Sequence, residues 1–597
     1  MAAAKNKAAK KSESQANRLV KVANSIELFH DANGDAYATV PVKAHRETSK
    51  VRSRAFRRWL AGSFYRATKQ VPQSQAMADA VNTLEGLAIF NGEEIETHIR
   101  LAEHDGKVYL DLANDTWQAV EIGPDGWTVV DDPPVKFLRP AAMMMLPTPV
   151  HGGSINELHK FVNVGQDFQL LVAFLVCALR PAGPYFCLNI GGEKGSAKSC
   201  LIDFIRMLID PNKASVRSAP RSEDDLLIAA KHSWLLTADN LSDLPPWLSN
   251  AWCRLATGGG ISKRELYTDD DEVILTAKRP SILAGITEVV TSSDLVDRLI
   301  RLECPTIPDD RRKLERTLRT EFEDARPRIL GAILDGVAAA LRNIGTFELP
   351  EICRMADGSE WCCAAWPAFG WESSEFLEAY RENRSRGRHL AIEAEPVGPV
   401  LIEWIEKIGG TWSGTATALL DDLCKHAGFE RDGDRPGKRR PKGWPGGPHI
   451  LSGKLRVLAS DLRAVGLNIT FDKDKSKARR KLIVITTVAP DAAPGRLLDA
   501  PGGAEKPRQD APDAPDAPDA STASSAIPGD GGDAGGIMSE ITADLARRFP
   551  DDPDLSTMLD QLCEWTDLFR DQDGHPLELA AQMAYQKVLA DRQRGAA

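Results

Sequence analysis

Residues 184–209 constrain the fold more than any other stretch of this chain, and they have the sequence PYFCLNIGGEKGSAKSCLIDFIRMLI. Residues 185–190 form an apolar run of strand length, residues 191–196 form a polar loop, and residues 197–209 carry apolar side chains at helical spacing. A strand, a glycine loop and a helix in this order are typical of a phosphate-binding segment. The sequence therefore predicts an α/β core built around it.

The loop follows the P-loop pattern G-x-x-x-x-G-K-[ST] except that alanine stands where the last glycine is usual. Glycines let backbone N–H groups converge on phosphate oxygens, and the N-terminus of the next helix adds partial positive charge. Lys198 would reach the β- and γ-phosphates, and the Ser199 hydroxyl would bind Mg²⁺. The predicted nucleotide-binding residues are Gly192, Glu193, Lys194, Gly195, Ser196, Ala197, Lys198 and Ser199. The alternative is an ordinary strand–turn–helix connection whose glycines only make the turn.

Residues 233–240, with the sequence SWLLTADN, predict a buried strand that ends in an acid. An aspartate delivered by a strand beside a phosphate loop is suited to Mg²⁺ coordination, so Asp239 is a candidate Walker B residue and metal ligand. The alternative is that Asp239 caps a following helix. Further along, residues 255–273 contain three consecutive glycines followed by Lys263 and Arg264, and residues 278–286 predict another buried strand.

Composition limits the classes of protein that remain. A length of 597 residues predicts about three or four domains, and a net charge of -11 argues against a uniformly basic nucleic-acid coat. The ten cysteines lack zinc-ligand spacing and suggest reduced thiols. No signal peptide is evident, and the longest apolar run, residues 170–179, is too short to span a bilayer. We therefore expect a cytoplasmic protein without membrane partners.

The ordered set of segments resembles the superfamily 3 helicases, specifically the primase-helicase type ATPases of phages and mobile elements, which belong to the AAA+ class. The resemblance covers residues 154–305, with a less specific fit to about residue 384. It rests on GEKGSAKS, the strand ending at Asp239, the segment TGGGISKRELY, the next apolar strand and DRLIRLECP.

The resemblance implies a homo-oligomeric ring, such as a hexamer, that hydrolyses ATP with Mg²⁺, translocates on single-stranded or forked DNA and opens a duplex. By position, Lys198 and Asp239 would be catalytic, and Arg298, or else Arg301, would be the arginine finger offered to the neighbouring subunit. Lys263 and Arg264 would contact DNA in the central channel. A separate primase or other replication proteins would be partners.

Two positions depart from the family pattern. Asn240 stands where a second acid commonly follows the Walker B aspartate, which leaves the general base unassigned. Residues 283–286 read Leu-Ala-Gly-Ile where the family's sensor strand usually ends in asparagine, so no polar sensor is predicted.

Residues 396–487 predict three helices followed by a basic hairpin, which is the element order of a winged helix. The DNA-contacting candidates in this region are Lys454, Arg456, Arg479 and Arg480, with Arg463, Lys477 and Lys481 beside them. The alternative is a winged helix that serves protein contacts. Near the N-terminus, residues 42–69 predict a helix with interleaved basic and aromatic residues, which either grips nucleic-acid phosphates or buries its aromatic side chains under solvated arginines.

The predicted fold is an α/β P-loop NTPase core of the AAA+ kind with modules on both sides. The predicted segments are a disordered stretch at 1–20, an N-terminal α+β accessory module at 21–150, the P-loop ATPase core at 151–305, a helical lid or bundle at 306–395, a winged-helix-like DNA-binding domain at 396–487, a Pro/Ala/Asp/Gly-rich linker at 488–537 and a small helical module at 538–597.

The leading functional hypothesis is an ATP-dependent DNA helicase or DNA-translocating ATPase acting in replication of a phage or mobile element. The alternative is a nucleotide-switched DNA-binding protein with little or no hydrolysis, which Asn240 and the missing sensor asparagine favour. A metabolic P-loop kinase is a weak third hypothesis, since no acceptor site is evident.

Overall fold

The computed structural model describes residues 13–214, 217–258, 261–264, 272–275, 278–285, 290, 292–346, 349, 354–429, 438–473 and 481–488. The chain divides into two compact units, Met1–Leu497 and Leu498–Ala597, and every described residue belongs to the first unit. The predicted linker beyond residue 488 and the predicted helical module at 538–597 lie outside the described residues.

The N-terminal part forms a four-stranded sheet of order β3-β2-β1-β4 that packs against helices. Its strands are β1 (Glu27–His30), β2 (Ala36–Val42), β3 (His45–Lys50) and β4 (Glu93–Glu94), and its helices are α1 (Gln15–Val22), α2 (Arg54–Thr68) and α3 (Ser74–Asn91). Phe29 from the sheet and Phe56 and Phe64 from α2 are completely buried. This part therefore has a hydrophobic core of its own.

Two local predictions differ from this structure. Residues 15–20, expected to be disordered, belong to α1, because the Ser14 hydroxyl accepts the Asn17 N–H at 3.1 Å and Leu19 is buried in the core. The helix predicted over residues 42–69 is wrong before Arg54, since His45–Lys50 pairs with β2 as a strand. The helix starts only where the Ser53 hydroxyl accepts the Phe56 N–H.

A second sheet follows, with antiparallel strands in the order β6-β7-β8-β9 as the alternating pattern predicts. The strands of this region are β5 (Thr97–His98), β6 (Leu101–His104), β7 (Lys107–Asp111), β8 (Ala119–Gly123), β9 (Gly126–Val130) and β10 (Lys136–Phe137). Val108, Leu110 and Val120 join the same apolar cluster as the central sheet described next. Arg100 also forms a buried ion pair with Asp210 at 3.0 Å, so this sheet is packed onto the central layer.

The central layer is a parallel sheet of four strands in the order β12-β15-β11-β16. Its strands are β11 (Cys187–Gly191), β12 (Leu236–Leu241), β15 (Ser281–Gly285) and β16 (Leu299–Glu303), and a separate antiparallel pair consists of β13 (Ile261–Arg264) and β14 (Glu272–Leu275). The associated helices are α4 (Phe168–Ala178), α5 (Lys198–Ile209), α6 (Glu223–His232), α7 (Pro246–Thr257) and α8 (Ser293–Val296).

The strand order reverses at β11. From β11 the chain crosses to β12 at one edge, and from β15 it passes to β16 on the other side of β11. In open parallel sheets, ligands bind outside the carboxyl ends of the strands at such a reversal. The segment that follows β11 therefore lies where a ligand site is expected.

A helical layer continues from the central sheet, with α9 (Glu315–Asn343), α10 (Ala356–Ala365) and α11 (Ser373–Ala394). Side chains of α9 and α10, including Phe322, Ile333 and Trp361, share the apolar cluster of the central sheet. The short 3₁₀ helices Ile155–Lys160, Gly165–Asp167, Asp309–Arg311 and Trp366–Phe369 connect these elements.

The C-terminal part of the described chain has the order helix, strand, helix, helix, strand, strand. Its elements are α12 (Val397–Lys407), β17 (Thr411–Gly414), α13 (Ala416–His426), α14 (Pro448–Ala464), β18 (Leu467–Lys473) and β19 (Lys481–Thr487). The three strands form an antiparallel sheet of order β17-β19-β18, and a separate apolar cluster that includes Leu401, Leu423 and Leu455 joins it to the helices. Among the described residues, no helix combines the length and apolarity that a bilayer crossing requires.

Candidate functional site

The glycine loop, residues 192–197, connects β11 to α5 at the point where the strand order reverses. Gly192 has φ +138° and Gly195 has φ +80°, and Ala197 has φ +65° although it carries a side chain. A left-handed conformation costs a non-glycine residue about 1–2 kcal/mol. The chain thus holds strained backbone at Ala197, the position where the pattern usually has glycine, and strain of this kind concentrates at ligand sites.

Gly192 also lacks room for a side chain. A Cβ atom at this position would lie 2.5 Å from the Cys304 carbonyl oxygen and 2.8 Å from the Ser196 hydroxyl. The loop is therefore folded tightly against the residue that follows β16. Burial raises the pKa of the Cys304 thiol to about 12, so this neighbour remains a neutral thiol near pH 7.

The lysine and serine that follow the loop contact the loop carbonyl groups and Asp239, respectively. The Lys198 ammonium donates to the carbonyl oxygens of Gly192 at 2.5 Å and Glu193 at 2.8 Å, which keeps its charge over the loop. The Ser199 hydroxyl donates to the Asp239 carboxylate at 2.7 Å. Asp239, predicted from the end of an apolar strand, therefore meets the serine of the glycine loop although they are 40 positions apart in sequence.

Asp239 sits where β12 departs from regular pairing, because the register with β15 shifts between Ala238 and Leu241. Its N–H donates to the Arg217 carbonyl at 2.9 Å, and its side chain accepts the Asn240 N–H at 2.7 Å. Asn240 is exposed and has φ +57°. The residue directly after Asp239 is therefore an amide and not an acid, and an amide cannot act as the general base.

Ser199 and Asp239 form an oxygen donor set of the kind that Mg²⁺ prefers. Magnesium ions bind through one or two carboxylates with the remaining positions taken by water and phosphate oxygens. Across the described residues there is no cluster of three or more His, Cys, Asp or Glu side chains that could hold a metal ion. A hydroxyl and a carboxylate 2.7 Å apart fit Mg²⁺ better than they fit a metal that requires an all-protein cage.

The two arginine-finger candidates are both engaged within the protomer. The Arg298 side chain is 9% exposed and forms an ion pair with Asp294 at 2.8 Å. Arg301, on β16, contacts the Glu303 carboxylate at 3.2 Å, and burial lowers the pKa of its guanidinium. Neither side chain extends freely from the surface, and an intersubunit role for Arg298 would require the ion pair with Asp294 to open.

Sequence reasoning missed three side chains beside the glycine loop, one that precedes α4 and two that follow β16. The guanidinium of Arg312 lies near Gly195, with Nη2 3.1 Å from where a Cβ would stand, and its side chain is 52% exposed. The Asn163 amide donates to the Ser196 carbonyl at 3.2 Å, and the Thr306 hydroxyl donates to the Glu193 carboxylate at 3.1 Å. For Thr306 and Arg312 the available signal was that a chain leaving a parallel neighbour of β11 emerges beside the loop, and for Asn163 there was none.

The predicted nucleic-acid residues are dispersed over several elements. Lys263 and Arg264 lie on β13, where they pair in register with Val273 and Glu272 of β14. In the C-terminal part, Lys454 forms an ion pair with Glu395, and Arg456 is exposed with its guanidinium 4.0 Å from the centre of the Phe471 ring. Arg463 donates to Asn468 at 2.9 Å. Arg479, Arg480 and Lys477 lie outside the described residues.

The basic helix α2 buries apolar side chains in the core of the N-terminal part. Phe56, Leu60 and Phe64 are buried, and the Trp59 indole donates to the Pro41 carbonyl at 3.0 Å. The exposed residues on this helix include the cations Arg54, Arg57, Arg58 and Arg66 and the aromatic Tyr65. The arrangement matches a helix that buries aromatic residues beneath solvated arginines, with Tyr65 alone left on the surface among the aromatic residues of α2.

The site and its neighbouring parts correspond to known family models. Residues 154–385 match the model of the actinomycete integrative conjugative element replication protein, and residues 397–501 match the model of the C-terminal domain of the same replication protein. The first match spans the glycine loop and Asp239, and the second begins with α12. No curated protein matches this chain.

Two solved structures are similar at low level. The A form apo structure of the NrS-1 C terminal region has 12% identity and a TM-score of 0.35, covering 79% of this chain and 98% of its own. Another apo structure of that region gives the same identity and TM-score over 80% of this chain and 100% of its own. At that TM-score the likeness supports no inference about this chain. The two family matches follow one another along the chain, and they support its assignment as a replication protein of an integrative conjugative element.

Proposed function

We propose that this replication protein is an ATP-dependent DNA helicase or a closely related DNA-translocating ATPase of the superfamily 3, AAA+ kind. The observation that carries the proposal is the convergence of Lys198, Ser199 and Asp239 on one loop at the carboxyl end of β11. Each supplies a different requirement of phosphoryl transfer, namely a cation for the phosphates, a hydroxyl ligand and a carboxylate ligand for magnesium.

The substrate in this proposal is ATP, bound through its phosphates. The backbone N–H groups of the glycine loop and the N-terminus of α5 face the phosphate oxygens, where the helix dipole favours negative charge. Lys198 exchanges its two carbonyl acceptors for β- and γ-phosphate oxygens, which are stronger partners because they are charged. The guanidinium of Arg312, which forms an exposed ion pair with Asp309 through Nε at 3.2 Å, has its Nη2 close enough to Gly195 to supply a further positive charge in cis.

Magnesium would be held by Ser199 and Asp239, and it would neutralise charge that develops on the transferred phosphoryl group. Asp239 is fixed for this task by its own N–H, which donates to Arg217, and by the Asn240 N–H, which donates to its carboxylate. Asn240 itself can orient a water by hydrogen bonding but cannot remove its proton. The attacking water would then lose its proton to solvent or to a phosphate oxygen, and the protein would contribute only by positioning that water. We therefore expect slow basal hydrolysis.

In the proposed ring, DNA contacts come from two places. The antiparallel β13–β14 pair contains Lys263 and Arg264, and a basic segment of this kind suits a loop lining a central channel. The C-terminal part has the helix and strand order of a winged helix, and Arg456 on its third helix is exposed. Because Lys454 and Arg463 are held by Glu395 and Asn468, Arg456 is the strongest of these candidates for phosphate contact.

The second candidate is a nucleotide-switched DNA-binding protein in which ATP sets assembly and turnover is negligible. Three features favour it: the absence of an acid at Asn240, the fully buried apolar strand Ser281–Gly285 in place of a polar sensor, and the engagement of Arg298 with Asp294. All three would slow chemistry while leaving nucleotide binding intact.

Steady-state ATP hydrolysis with and without single-stranded DNA separates the two candidates. A motor predicts stimulation by DNA that Lys198→Ala abolishes, while Lys160→Ala, which changes an exposed lysine outside the loop, behaves as wild type. ATP binding with no turnover in either condition would reject the motor and favour the switch.

A further inference from the structure

A cavity of about 610 Å³ lies beside β12, the edge strand that β15 separates from β11 in the central sheet. It is bounded by α5, α6, α7, β12 and the segment that precedes α6. This volume falls in the range of small-molecule sites, which is roughly 300–1,000 Å³. Its chemistry is separate from that of the glycine loop, because Lys198 and Ser199 do not line it.

Three residues that line the cavity carry buried donor atoms without a hydrogen-bond partner in the described chain. These atoms are Nε and Nη2 of Arg206, Nε1 of Trp252 and the hydroxyl of Ser233, and each of these residues is only 1% exposed. Arginine and indole nitrogens donate but cannot accept. Buried polar groups are normally satisfied, so a ligand that is rich in acceptors would supply the partners that these donors lack within the protein.

The charge of the Arg206 guanidinium also indicates an anionic ligand. Arg206 has its closest acid at Asp210, but the distance is 3.8 Å, and the Asp210 carboxylate already accepts from Arg100 and from the N–H groups of Trp234 and Leu235. One carboxylate thus serves two buried guanidinium groups, and burial lowers the pKa of Arg206 to about 10. A buried cation with so little compensation is costly unless an anion joins it.

Two further cations line the cavity, and its remaining wall is largely apolar. Arg217 is half-buried and Arg221 is exposed, while the carboxylate that lines the cavity belongs to Asp225. The apolar part of the lining comprises Ala219, Pro220, Leu226, Ala229, Leu235 and Leu236. Guanidinium groups bind phosphate through paired N–H donors, and an apolar wall accommodates a ring or chain attached to it.

We propose that this cavity is a second ligand site, which binds a phosphorylated small molecule of nucleotide size through Arg206 and Arg217. The phosphate lies between the two guanidinium groups, and the organic part contacts the apolar wall and Trp252. This site exists whether or not the glycine loop binds ATP.

Two hydrogen bonds connect the arginines of the cavity to the part of β12 that contains Asp239, the proposed metal ligand. Arg206 donates to the Thr237 hydroxyl at 3.1 Å, two residues before Asp239, and the Arg217 carbonyl accepts the Asp239 N–H at 2.9 Å. A ligand that fixes both arginines therefore also fixes the end of β12. Regulation of the glycine-loop site by this ligand is the consequence, and that consequence rests on the proposed function.

Isothermal titration calorimetry of the full chain tests the site with two probes, AMP and inorganic phosphate. All titrations use the Lys198→Ala background, in which the lysine of the glycine loop is absent. We expect AMP to bind there, more tightly than phosphate, and to bind about tenfold or more weakly when Arg217→Ala is added. Arg316→Ala, an exposed arginine on α9 outside the cavity, serves as the matched control and leaves AMP affinity unchanged.

Arg217 is used because it is half-buried, so its truncation leaves the core intact, and Arg206→Lys provides a second variant that keeps the buried charge. Absence of AMP and phosphate binding in the Lys198→Ala background would overturn the site and indicate a hydrated cavity. Binding that survives both Arg217→Ala and Arg206→Lys would overturn it as well, and phosphate binding without a gain for AMP would reject a nucleotide-sized ligand. None of these readouts depends on ATP hydrolysis, so loss of the site and loss of the proposed motor are distinguishable.

Discussion

Replacing Gly192 by alanine should damage the glycine loop far more than the same change at Gly34, although both glycines have positive φ. Gly34 lies in the turn between β1 and β2 with φ +76°, and a Cβ there meets nothing within 4 Å. Gly34→Ala therefore carries only the backbone cost, about 1–2 kcal/mol for a left-handed alanine. This variant therefore measures the free-energy cost of the backbone conformation without a steric clash.

Gly192→Ala carries that kind of cost and a steric one. The new Cβ would lie 2.5 Å from the carbonyl oxygen of Cys304, which is backbone and cannot rotate away. Strained backbone costs about 1–3 kcal/mol and overpacking a similar amount, so the total is about 2–6 kcal/mol. The chain relieves this by moving the loop, which displaces the Gly192 carbonyl that holds Lys198. A population shift of about 2 kcal/mol weakens ATP binding about 30-fold.

Titration with a fluorescent ATP analogue and Mg²⁺ measures this difference directly, with circular dichroism melting to confirm that both variants fold. We expect Gly192→Ala to bind at least about 30-fold more weakly than wild type and Gly34→Ala to bind like wild type. Affinity for Gly192→Ala within about twofold of wild type would refute the reasoning. Equal losses in both variants would refute it too, since Gly34 is remote from the loop in sequence and connects two strands of a different sheet.

Three further predictions address metal, DNA and pH. Asp239→Asn removes the charge that meets Ser199, so the Mg²⁺ concentration needed for half-maximal ATP binding should rise about 10- to 100-fold in a metal titration; an unchanged requirement would exclude Asp239 as a ligand. Arg456→Ala should weaken DNA binding at every sequence and lower the salt slope by about 1 in fluorescence anisotropy, whereas an unchanged slope would remove Arg456 from the interface. Burial alone raises the pKa of Asp294, but the hydrogen bonds of Arg298 and Cys253 and the charges of Arg298 and Arg354 outweigh it and hold this pKa below its usual value. A lowered folded-state pKa stabilises the protein above the unfolded-state pKa, and that stability is lost as pH falls through the folded-state pKa; Arg298→Met should therefore lower the denaturation midpoint near pH 7 more than at about pH 3, and equal losses at both would contradict the assignment.

Local signals in the sequence predict the central segment well. The apolar run at 185–190 and the helical spacing from 197 correspond to β11 (Cys187–Gly191) and α5 (Lys198–Ile209), because both patterns are set by neighbours within a few residues. The meeting of Ser199 with Asp239 was also predictable, since parallel strands place their carboxyl ends at the same edge. The only structural assumption needed for this prediction is that the two strands are parallel members of one sheet.

Contacts that depend on the placement of distant strands were not predictable. Arg312 lies beside Gly195 only because β16 is the parallel neighbour of β11, and no periodicity in the sequence encodes that order. The ion pair of Arg298 with Asp294 is local, since the two residues are four positions apart, but the burial of Arg298 depends on the surrounding fold and was not predictable. The cavity beside β12 joins residues from three helices and a strand, so sequence spacing gives no sign of it.

The strand at His45–Lys50 illustrates how local signals compete. Its basic residues continue into α2 without a break in composition, so one helix was expected over the whole stretch. The boundary is set by the Ser53 cap and by pairing with β2 from Tyr37 to Val42, a long-range contact that overrides local propensity.

Displacement of a labelled strand from a forked DNA duplex by the full chain is the measurement that tests the proposed motor most directly. The account predicts displacement that requires ATP and Mg²⁺, disappears in Lys198→Ala and persists in Lys160→Ala. ATP and DNA binding by the wild-type protein without any displacement, and without hydrolysis that DNA stimulates, would contradict the motor and leave the nucleotide-switched DNA-binding protein as the function.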